Sequence, residues 1–385
     1  MFFELTDEQK AIKRLARDFA EKRLCVVQAE DEEKHLFRRE IVNEMGKLGL
    51  LGTILPEEYG GSNVGFLSTV LITEELARIS ASYSTYSMSQ AVGPGLTILK
   101  HGTKEQKEKY LPSLSSGDIL VCFGSTEPDA GSDVAGMKTT AVEKGDHFIL
   151  NGTKAWITNG PVADMGLFWA YTDRQLKHKG MSCFIVEDMK NTPGVTTSPY
   201  DKLGLWCTVT GEVAFDDVKV PKDCLLGSKG EGYQILMEML ANTRLCAAAR
   251  AVGVTQACLE DSIKYAKERQ AFGQPIANFQ MIQGQIAEMY IEHEAARMLV
   301  YQAAVNKDRG IQDVVEVAVA KYFACEAGMK AADMALKIYG SYGFSMDFPI
   351  QRYIRDSRAF PITEGTSNIQ KLIIARGLLA QRTSY

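Results

Sequence analysis

HFILNGTKAWIT, residues 147–158, is the stretch that decides how the middle of the chain folds. Its β-branched and aromatic residues form two strand-like runs on either side of Asn151-Gly152, the dipeptide most typical of a tight turn between antiparallel strands. The stretch therefore predicts a β-hairpin. Side chains alternate along a strand, so Trp156 and Thr158 would share one face. That face is either a stacking surface beside a hydrogen-bond donor or part of the hydrophobic core.

The strand-like character extends outward from this stretch over residues 121–230. Met181 to Val186 is another apolar run, and alternating residues around Asp216-Asp217 predict a second hairpin that ends at Pro221. Together these segments predict a compact β domain, built as a barrel or a sandwich.

Helical patterns lie on both sides of the β region. Thr6 and Gln9 form a capping box ahead of apolar residues at helical spacing. Long helices are predicted near residues 233–268, 279–307 and 312–339, with a last one from about Thr366. The predicted fold class is α+β, with an N-terminal α-helical domain over residues 1–120, the middle β domain over 121–230 and a C-terminal four-helix bundle over 231–385.

Composition excludes several classes of protein. Of the 385 residues, 45% are hydrophobic and 24% are charged, as in folded globular domains, and the net charge of −5 with no long basic run argues against nucleic-acid binding. The eight cysteines have no zinc-like spacing, so no metal site is predicted. No apolar run approaches the length of a membrane span. The N-terminus lacks targeting features, so we expect a cytoplasmic protein, or a mitochondrial matrix protein if a presequence was removed.

Five short segments place polar side chains where a ligand could bind. Each also has an ordinary explanation: a Pro/Gly loop, a core strand, a helix cap, a helix end or an N-cap. The residues alone leave both explanations open for each segment. The segments are FGSTEPDAGSD at 123–133, WIT at 156–158, RQAFG at 269–273, GSYG at 340–343 and TEGTSN at 363–368.

In their order and spacing, these segments resemble the acyl-CoA dehydrogenase family over essentially the whole chain. Gly124 to Gly136 fits the first signature of that family, except that Ser125 replaces an aliphatic residue. The second signature departs only at Lys337, where an acidic residue or Gln is usual. Its other positions are met by Gly340, Ser341, Gly343, Phe344, Asp347, Arg352 and Asp356.

The resemblance implies a bound FAD and an oligomer. Thr126 and Thr158 would donate hydrogen bonds to the polar edge of the flavin ring. The pyrophosphate and adenosine would be held by residues of a neighbouring subunit, so at least a dimer is required, and a homotetramer is common in the family. The cofactor-binding residues would be Phe123, Gly124, Ser125, Thr126, Trp156, Ile157 and Thr158 around the flavin, and Ser132, Arg269, Phe272, Gln280, Lys337, Gly340, Ser341, Thr366 and Asn368 elsewhere.

The resemblance also implies the reaction, which is α,β-dehydrogenation of an acyl-CoA thioester. Glu364 matches the base that removes the α-proton, and an electron-transferring flavoprotein would accept the electrons. Part of the family carries its base at the position matched by Thr243, which cannot act as one here. Substrate-binding residues would be Ser84, Ser132, Arg244, Thr363 and Gly365.

These matches define the acyl group of the substrate less well than they define the reaction. The sequence looks most like the glutaryl-CoA dehydrogenase branch, which binds the distal carboxylate of its substrate with an Arg at the position of Ser84 and, in decarboxylating members, has a Tyr at that of Thr363. A buried carboxylate without a cation is unfavourable. We therefore expect a neutral short, branched or alicyclic acyl group, unless a lysine or arginine from another segment supplies the charge.

Other functions remain open. A non-decarboxylating glutaryl-CoA dehydrogenase, an enoyl-CoA reductase or an oxidase would use the same fold. A flavin-containing DNA-associated protein is the alternative from a different class, but such a protein should carry a basic C-terminal extension.

Overall fold

The computed structural model describes residues 4–380 and has three regions in chain order: helices, a β-sheet and helices again. This order confirms the α+β class. Helix gives way to strand between Ser116 and Val121 and returns between Leu226 and Gly232. These transitions support the domain limits that we propose near residues 120 and 230.

The N-terminal region contains seven α-helices among the described residues. Thr6 accepts a hydrogen bond from the Gln9 N–H while the Gln9 side chain accepts from the Thr6 N–H, so the predicted capping box is present. An eight-residue π-helical segment, Met88–Gly95, runs through the hydroxyl-rich part of this region. The helices are α1 (Asp7–Phe19), α2 (Cys25–Lys34), α3 (Arg39–Lys47), α4 (Gly65–Ile79), α5 (Thr85–Ser87), α6 (Leu96–His101) and α7 (Lys104–Ser116).

The middle region is one twisted sheet of eight strands. Its order is β6-β7-β3-β2-β4-β5-β8, and β1 pairs in parallel with β4. Phe168, Trp169 and Phe184 are fully buried in its core. The strands are β1 (Val121–Gly124), β2 (Thr140–Lys144), β3 (His147–Thr158), β4 (Met165–Tyr171), β5 (Met181–Val186), β6 (Val195–Pro199), β7 (Thr210–Pro221) and β8 (Leu225–Leu226).

Both predicted hairpins are wrong. Residues 147–158 form the single strand β3, and the turn lies before it, at Gly145 (φ 60°), where Lys144 pairs with His147. Asn151 and Asp217 instead form a bulge between β3 and β7: the Asn151 side chain donates to the Asp217 carboxylate and accepts from the Asp217 N–H. Asx side chains favour bulges as well as turns, because both need backbone outside the β region.

The C-terminal region returns to long helices, close to the predicted bounds. Helix α8 packs against α4, α9 and α10, and α12 packs on α10. Alanines fill the buried faces of α8 and α10, which lets the helices approach closely. The elements are β9 (Gln270–Ala271), β10 (Gln274–Pro275), α8 (Gly232–Glu268), α9 (Gln280–Asp308), α10 (Val314–Tyr339), α11 (Ile350–Ser357) and α12 (Ser367–Ala380). Over residues 4–380, no helix has the length and apolar character needed to cross a membrane.

The side chain of Gln90 joins the π-helical segment to the sheet. Its amide nitrogen donates to the Ile119 carbonyl at 2.6 Å, and its oxygen accepts from the Val121 N–H at 3.0 Å. Gln90 is fully buried. These two hydrogen bonds fix where β1 begins relative to residues 88–95.

A buried ion pair holds the loop after β1 against β3. Lys154 Nζ lies 2.7 Å from Glu127 Oε1, and both side chains are almost inaccessible to solvent. Glu127 also accepts from the N–H groups of Lys138 and Thr139. Burial alone would raise the pKa of Glu127, but Lys154 and these hydrogen bonds hold it below its ordinary value. The carboxylate thus joins three segments of the chain.

We expect Glu127→Ala to lower the free energy of unfolding by about 3–5 kcal/mol, because it leaves a buried, unpaired ammonium group. Glu143→Ala, which breaks exposed pairs with Lys222 and Lys229, is the matched control and should cost much less, because exposed ion pairs are screened by solvent. Equilibrium denaturation measures both values. Equal costs for the two variants would contradict a structural role for the buried pair.

Candidate active site

The carboxylate of Glu364 lies in a turn that is held against helix α8. Thr243, on α8, donates its hydroxyl hydrogen to Glu364 Oε2, and the neighbouring Arg244 donates from Nε to the Glu364 carbonyl at 3.3 Å. Glu364 and Gly365 both have positive φ, 55° and 86°. A left-handed conformation is uncommon for a glutamate and persists only where surrounding contacts hold it.

Two further side chains hold this turn in place. Lys321 Nζ, on α10, donates to the Gly365 carbonyl at 2.7 Å, and Gln370 donates to the same oxygen at 2.9 Å. Lys321 is fully buried, and burial lowers its pKa. No hydrogen bond in the described part of the chain uses the Glu364 N–H. The turn therefore presents a fixed carboxylate together with a free backbone donor.

The sheet and the Glu364 turn meet at Gly93 of the π-helical segment. A Cβ atom at Gly93 would lie 3.5 Å from the Phe123 ring and 3.6 Å from the Thr243 methyl group. Phe123 is in β1, and Thr243 contacts Glu364. The structure thus brings the 123–126 segment, the π-helical segment and the carboxylate to one place.

The ends of β1 and β3 form a shared wall. Ala155 donates its N–H to the Thr126 carbonyl at 2.9 Å, which joins the two segments directly. Trp156 has φ 61° at an irregularity in β3, and its side chain is 62% exposed although the flanking Ala155 and Ile157 are buried. Gly124 and Ser125 are also buried. Thr126 and Thr158 are half-buried, and neither hydroxyl has a hydrogen-bond partner among residues 4–380.

A second group of predicted residues lines a groove of about 430 Å³ at the far end of α8. Arg269, Phe272, Gly340 and Ser341 all contribute to it. The Arg269 guanidinium lies 5.2 Å from the centre of the Tyr342 ring, and the Phe272 side chain is 95% exposed. Cationic, backbone and aromatic groups are thus combined on one open surface.

The remaining predicted residues are more scattered. Ser132 lies on an exposed loop, Gln280 begins α9 near the far groove, and Lys337 lines a neighbouring groove with Asp333 and Arg358. Thr366 accepts from the Ile369 N–H at the start of α12, and Asn368 is exposed there.

Two predicted substrate-binding residues differ in exposure. Ser84 is buried and donates to the Ala81 carbonyl, whereas Thr363 is exposed beside Glu364.

Sequence reasoning missed two buried cations, Lys321 and Arg250. Each interrupts an apolar helical run, in VAVAKYFAC and LCAAARAVG. Charged side chains are almost never fully buried unless they have partners. A single cation within an apolar helical run therefore indicates a buried charge that has a specific role.

Comparison with known proteins agrees with this geometry. The models of the acyl-CoA dehydrogenase N-terminal, middle and C-terminal domains match residues 6–118, 122–218 and 230–379. Glutaryl-CoA dehydrogenase of Desulfococcus multivorans is 45% identical over 99% of both chains.

Solved structures agree equally well over the whole fold. Butyryl-CoA dehydrogenase from Megasphaera elsdenii matches with a TM-score of 0.96 and 39% identity, covering 98% of this chain and 100% of that one. The FAD complex of PigA matches with a TM-score of 0.93 and 30% identity over 98% and 99% of the two chains. By sequence and by fold, this chain belongs to the acyl-CoA dehydrogenase family.

Proposed function

We propose that the protein is an FAD-dependent enzyme that introduces an α,β double bond into an acyl-CoA thioester, with Glu364 as the base. The observation that carries the proposal is the placement of the Glu364 carboxylate beside Thr243 and Gly93, where the helical and β regions meet. A carboxylate held there can reach a ligand that lies between the turn and the wall formed by β1 and β3.

The turn supplies two of the groups that this chemistry needs. Removing an α-proton from a thioester requires a base and a donor that stabilises the negative charge developing on the thioester oxygen. The Glu364 carboxylate accepts the proton, and the free Glu364 N–H donates to the oxygen. Thr243 orients the carboxylate, while Lys321 and Gln370 keep the turn from moving.

The β-domain wall fits an isoalloxazine ring. The exposed Trp156 indole offers an aromatic surface, and the unpartnered hydroxyls of Thr126 and Thr158 can donate to the polar edge of the ring. Bound FAD would supply the acceptor for the hydride that leaves the β-carbon. Phe123 to Thr126 and Trp156 to Thr158 hold and orient the ring, and the buried pair of Glu127 and Lys154 fixes these two segments relative to one another.

The far groove supports a site shared between subunits. Thr243 and Arg269 are 26 residues apart on or directly after one continuous helix, a separation of about 39 Å at 1.5 Å per residue. One FAD cannot reach both ends within a single chain. We propose that Arg269, Phe272, Gly340 and Ser341, with Gln280, hold the phosphates and adenosine of the FAD bound to a second copy. The assembly is then at least a dimer, and we propose a homotetramer that passes electrons to an electron-transferring flavoprotein.

We expect Glu364→Gln to retain FAD and acyl-CoA binding but to reduce the rate of flavin reduction about 10²- to 10⁴-fold, because an amide cannot accept the α-proton. Anaerobic stopped-flow mixing with a panel of acyl-CoAs measures this rate. Glu143→Gln, on the exposed side of the sheet, is the control and should keep the full rate. A Glu364→Gln enzyme that retains most of its rate would place the base elsewhere.

We also expect about one non-covalent FAD per chain in an assembly of at least two 42.5 kDa chains. Arg269→Ala should weaken FAD binding roughly tenfold to a hundredfold, since it removes a charged contact, whereas Lys267→Ala at the same exposed helix end should not. Absorbance and sedimentation velocity give the stoichiometry and the mass. A monomer that retains FAD would contradict the shared site, and a folded protein that takes up no FAD would contradict the function.

A further inference from the structure

Helix α8 carries a buried arginine that has no ion-pair partner in the part of the chain that the structure describes. The Arg250 side chain is only 4% exposed, and its guanidinium lies 5.4 Å from the centre of the Phe360 ring. Its one hydrogen bond to the described residues runs from Nη2 to the Ala81 carbonyl at 3.1 Å, and Nε has no partner among them. No ion pair within residues 4–380 includes Arg250. Burial lowers its pKa, yet a guanidinium remains charged in proteins. A buried, unpaired charge of this kind is costly.

The side chains around Arg250 do not neutralise it. The carboxylates of Asp356 and Glu364 act on its charge only from beyond ion-pair distance, and burial raises the pKa of the Cys246 and Cys325 thiols, which keeps them neutral. Asp356 is itself engaged with the Leu205 N–H at 2.6 Å. The positive charge is therefore available to a ligand.

Unsatisfied hydroxyls lie on the segment that Arg250 contacts. The hydroxyl oxygens of Ser82, Tyr86 and Ser89 are buried and have no hydrogen-bond partner among the described residues. Ser84 donates to the same Ala81 carbonyl that accepts from Arg250. Buried polar groups normally have partners, so the unpartnered Ser82 hydroxyl, next in sequence to the Ala81 carbonyl that Arg250 contacts, adds a second unsatisfied polar group to this segment.

The position of Arg250 relative to the base fits a short acyl chain. Thr243 and Arg250 are seven residues apart on the same helix, hence on the same face and about 10.5 Å apart along the axis. Helical side chains lean towards the N-terminus, so the guanidinium extends back towards Thr243 and the Glu364 carboxylate. A separation of this order matches an acyl chain of a few methylene groups.

We propose that Arg250 binds a carboxylate at the far end of a short acyl group, so that the substrate is the CoA thioester of a dicarboxylic acid. This proposal rests on the proposed function and adds the substrate class. The α-carbon lies at Glu364, and the distal carboxylate completes the hydrogen bonds of Arg250. The absence of an arginine at position 84 predicts a neutral acyl group. In this proposal Arg250 supplies the missing positive charge from helix α8 instead.

The substrate preference of the wild-type enzyme distinguishes a dicarboxylic acyl group from a neutral one. The probes are glutaryl-CoA, its monoamide 4-carbamoylbutyryl-CoA, which has the same shape without the charge, and butyryl-CoA. We expect kcat/KM for glutaryl-CoA to exceed that for the monoamide roughly a hundredfold, because the amide leaves the buried cation unpaired. Equal values, or a preference for the monoamide or butyryl-CoA, would overturn the role of Arg250. No flavin reduction by any of the three, nor by longer or branched acyl-CoAs, would instead contradict the proposed function.

Variants of Arg250 provide an independent test. Arg250→Gln should remove the preference for glutaryl-CoA over its monoamide, mainly through KM, while flavin reduction by butyryl-CoA persists. Arg250→Lys should restore part of the preference. Arg297→Gln, which removes a surface arginine paired with Glu294, is the matched control. FAD content and butyryl-CoA activity report whether each variant is folded. An unchanged preference in folded Arg250→Gln enzyme would refute the proposal.

Discussion

The rest of the site depends on one constraint: the Glu364–Gly365 turn is hydrogen-bonded to helices α8 and α10. The turn is left-handed at two successive residues, and a non-glycine residue in that conformation costs about 1–3 kcal/mol. Hydrogen bonds from Thr243, Arg244, Lys321 and Gln370 offset that cost. Because Lys321 is buried and has few alternatives, the Gly365 carbonyl has little freedom to move. The carboxylate is thus placed by the helices rather than by its own loop.

Each of the three segments that we assign to the ligands contains a non-glycine residue with a left-handed backbone conformation. Trp156 in the wall formed by β1 and β3, Phe272 in the far groove and Glu364 in its turn all have positive φ. The side chains of Trp156 and Phe272 point away from the hydrophobic core, whereas the Glu364 carboxylate points at the buried Thr243. Trp156 and Phe272 are more than half exposed, although they are large and apolar. Such residues are expected where a ligand or a second subunit covers them.

Much of the fold follows from sequence because it depends on local periodicity. The observed limits of α8, α9 and α10 lie within two residues of the predicted ones, since long apolar repeats and caps specify them. The turn at Asn151 was mispredicted because its partner, Asp217, is 66 residues away and becomes a neighbour only when β3 and β7 pair. The burial of Arg250 could be inferred from the apolar run around it, but its contacts could not, because Ala81 and Phe360 are distant in sequence. The roles of Glu364 and the FAD-contacting residues came from resemblance, not from spacing.

The central claim is that the Glu364 carboxylate removes the α-proton of a bound acyl-CoA. The most direct test uses 3-thiabutyryl-CoA, whose sulfur at the β-position cannot release a hydride, so that proton removal is observed alone. In D2O, nuclear magnetic resonance should show solvent deuterium entering the α-carbon with wild-type enzyme and at least about a hundredfold more slowly with Glu364→Gln. Absence of exchange in wild-type enzyme, or equal exchange in the two proteins, would contradict the account.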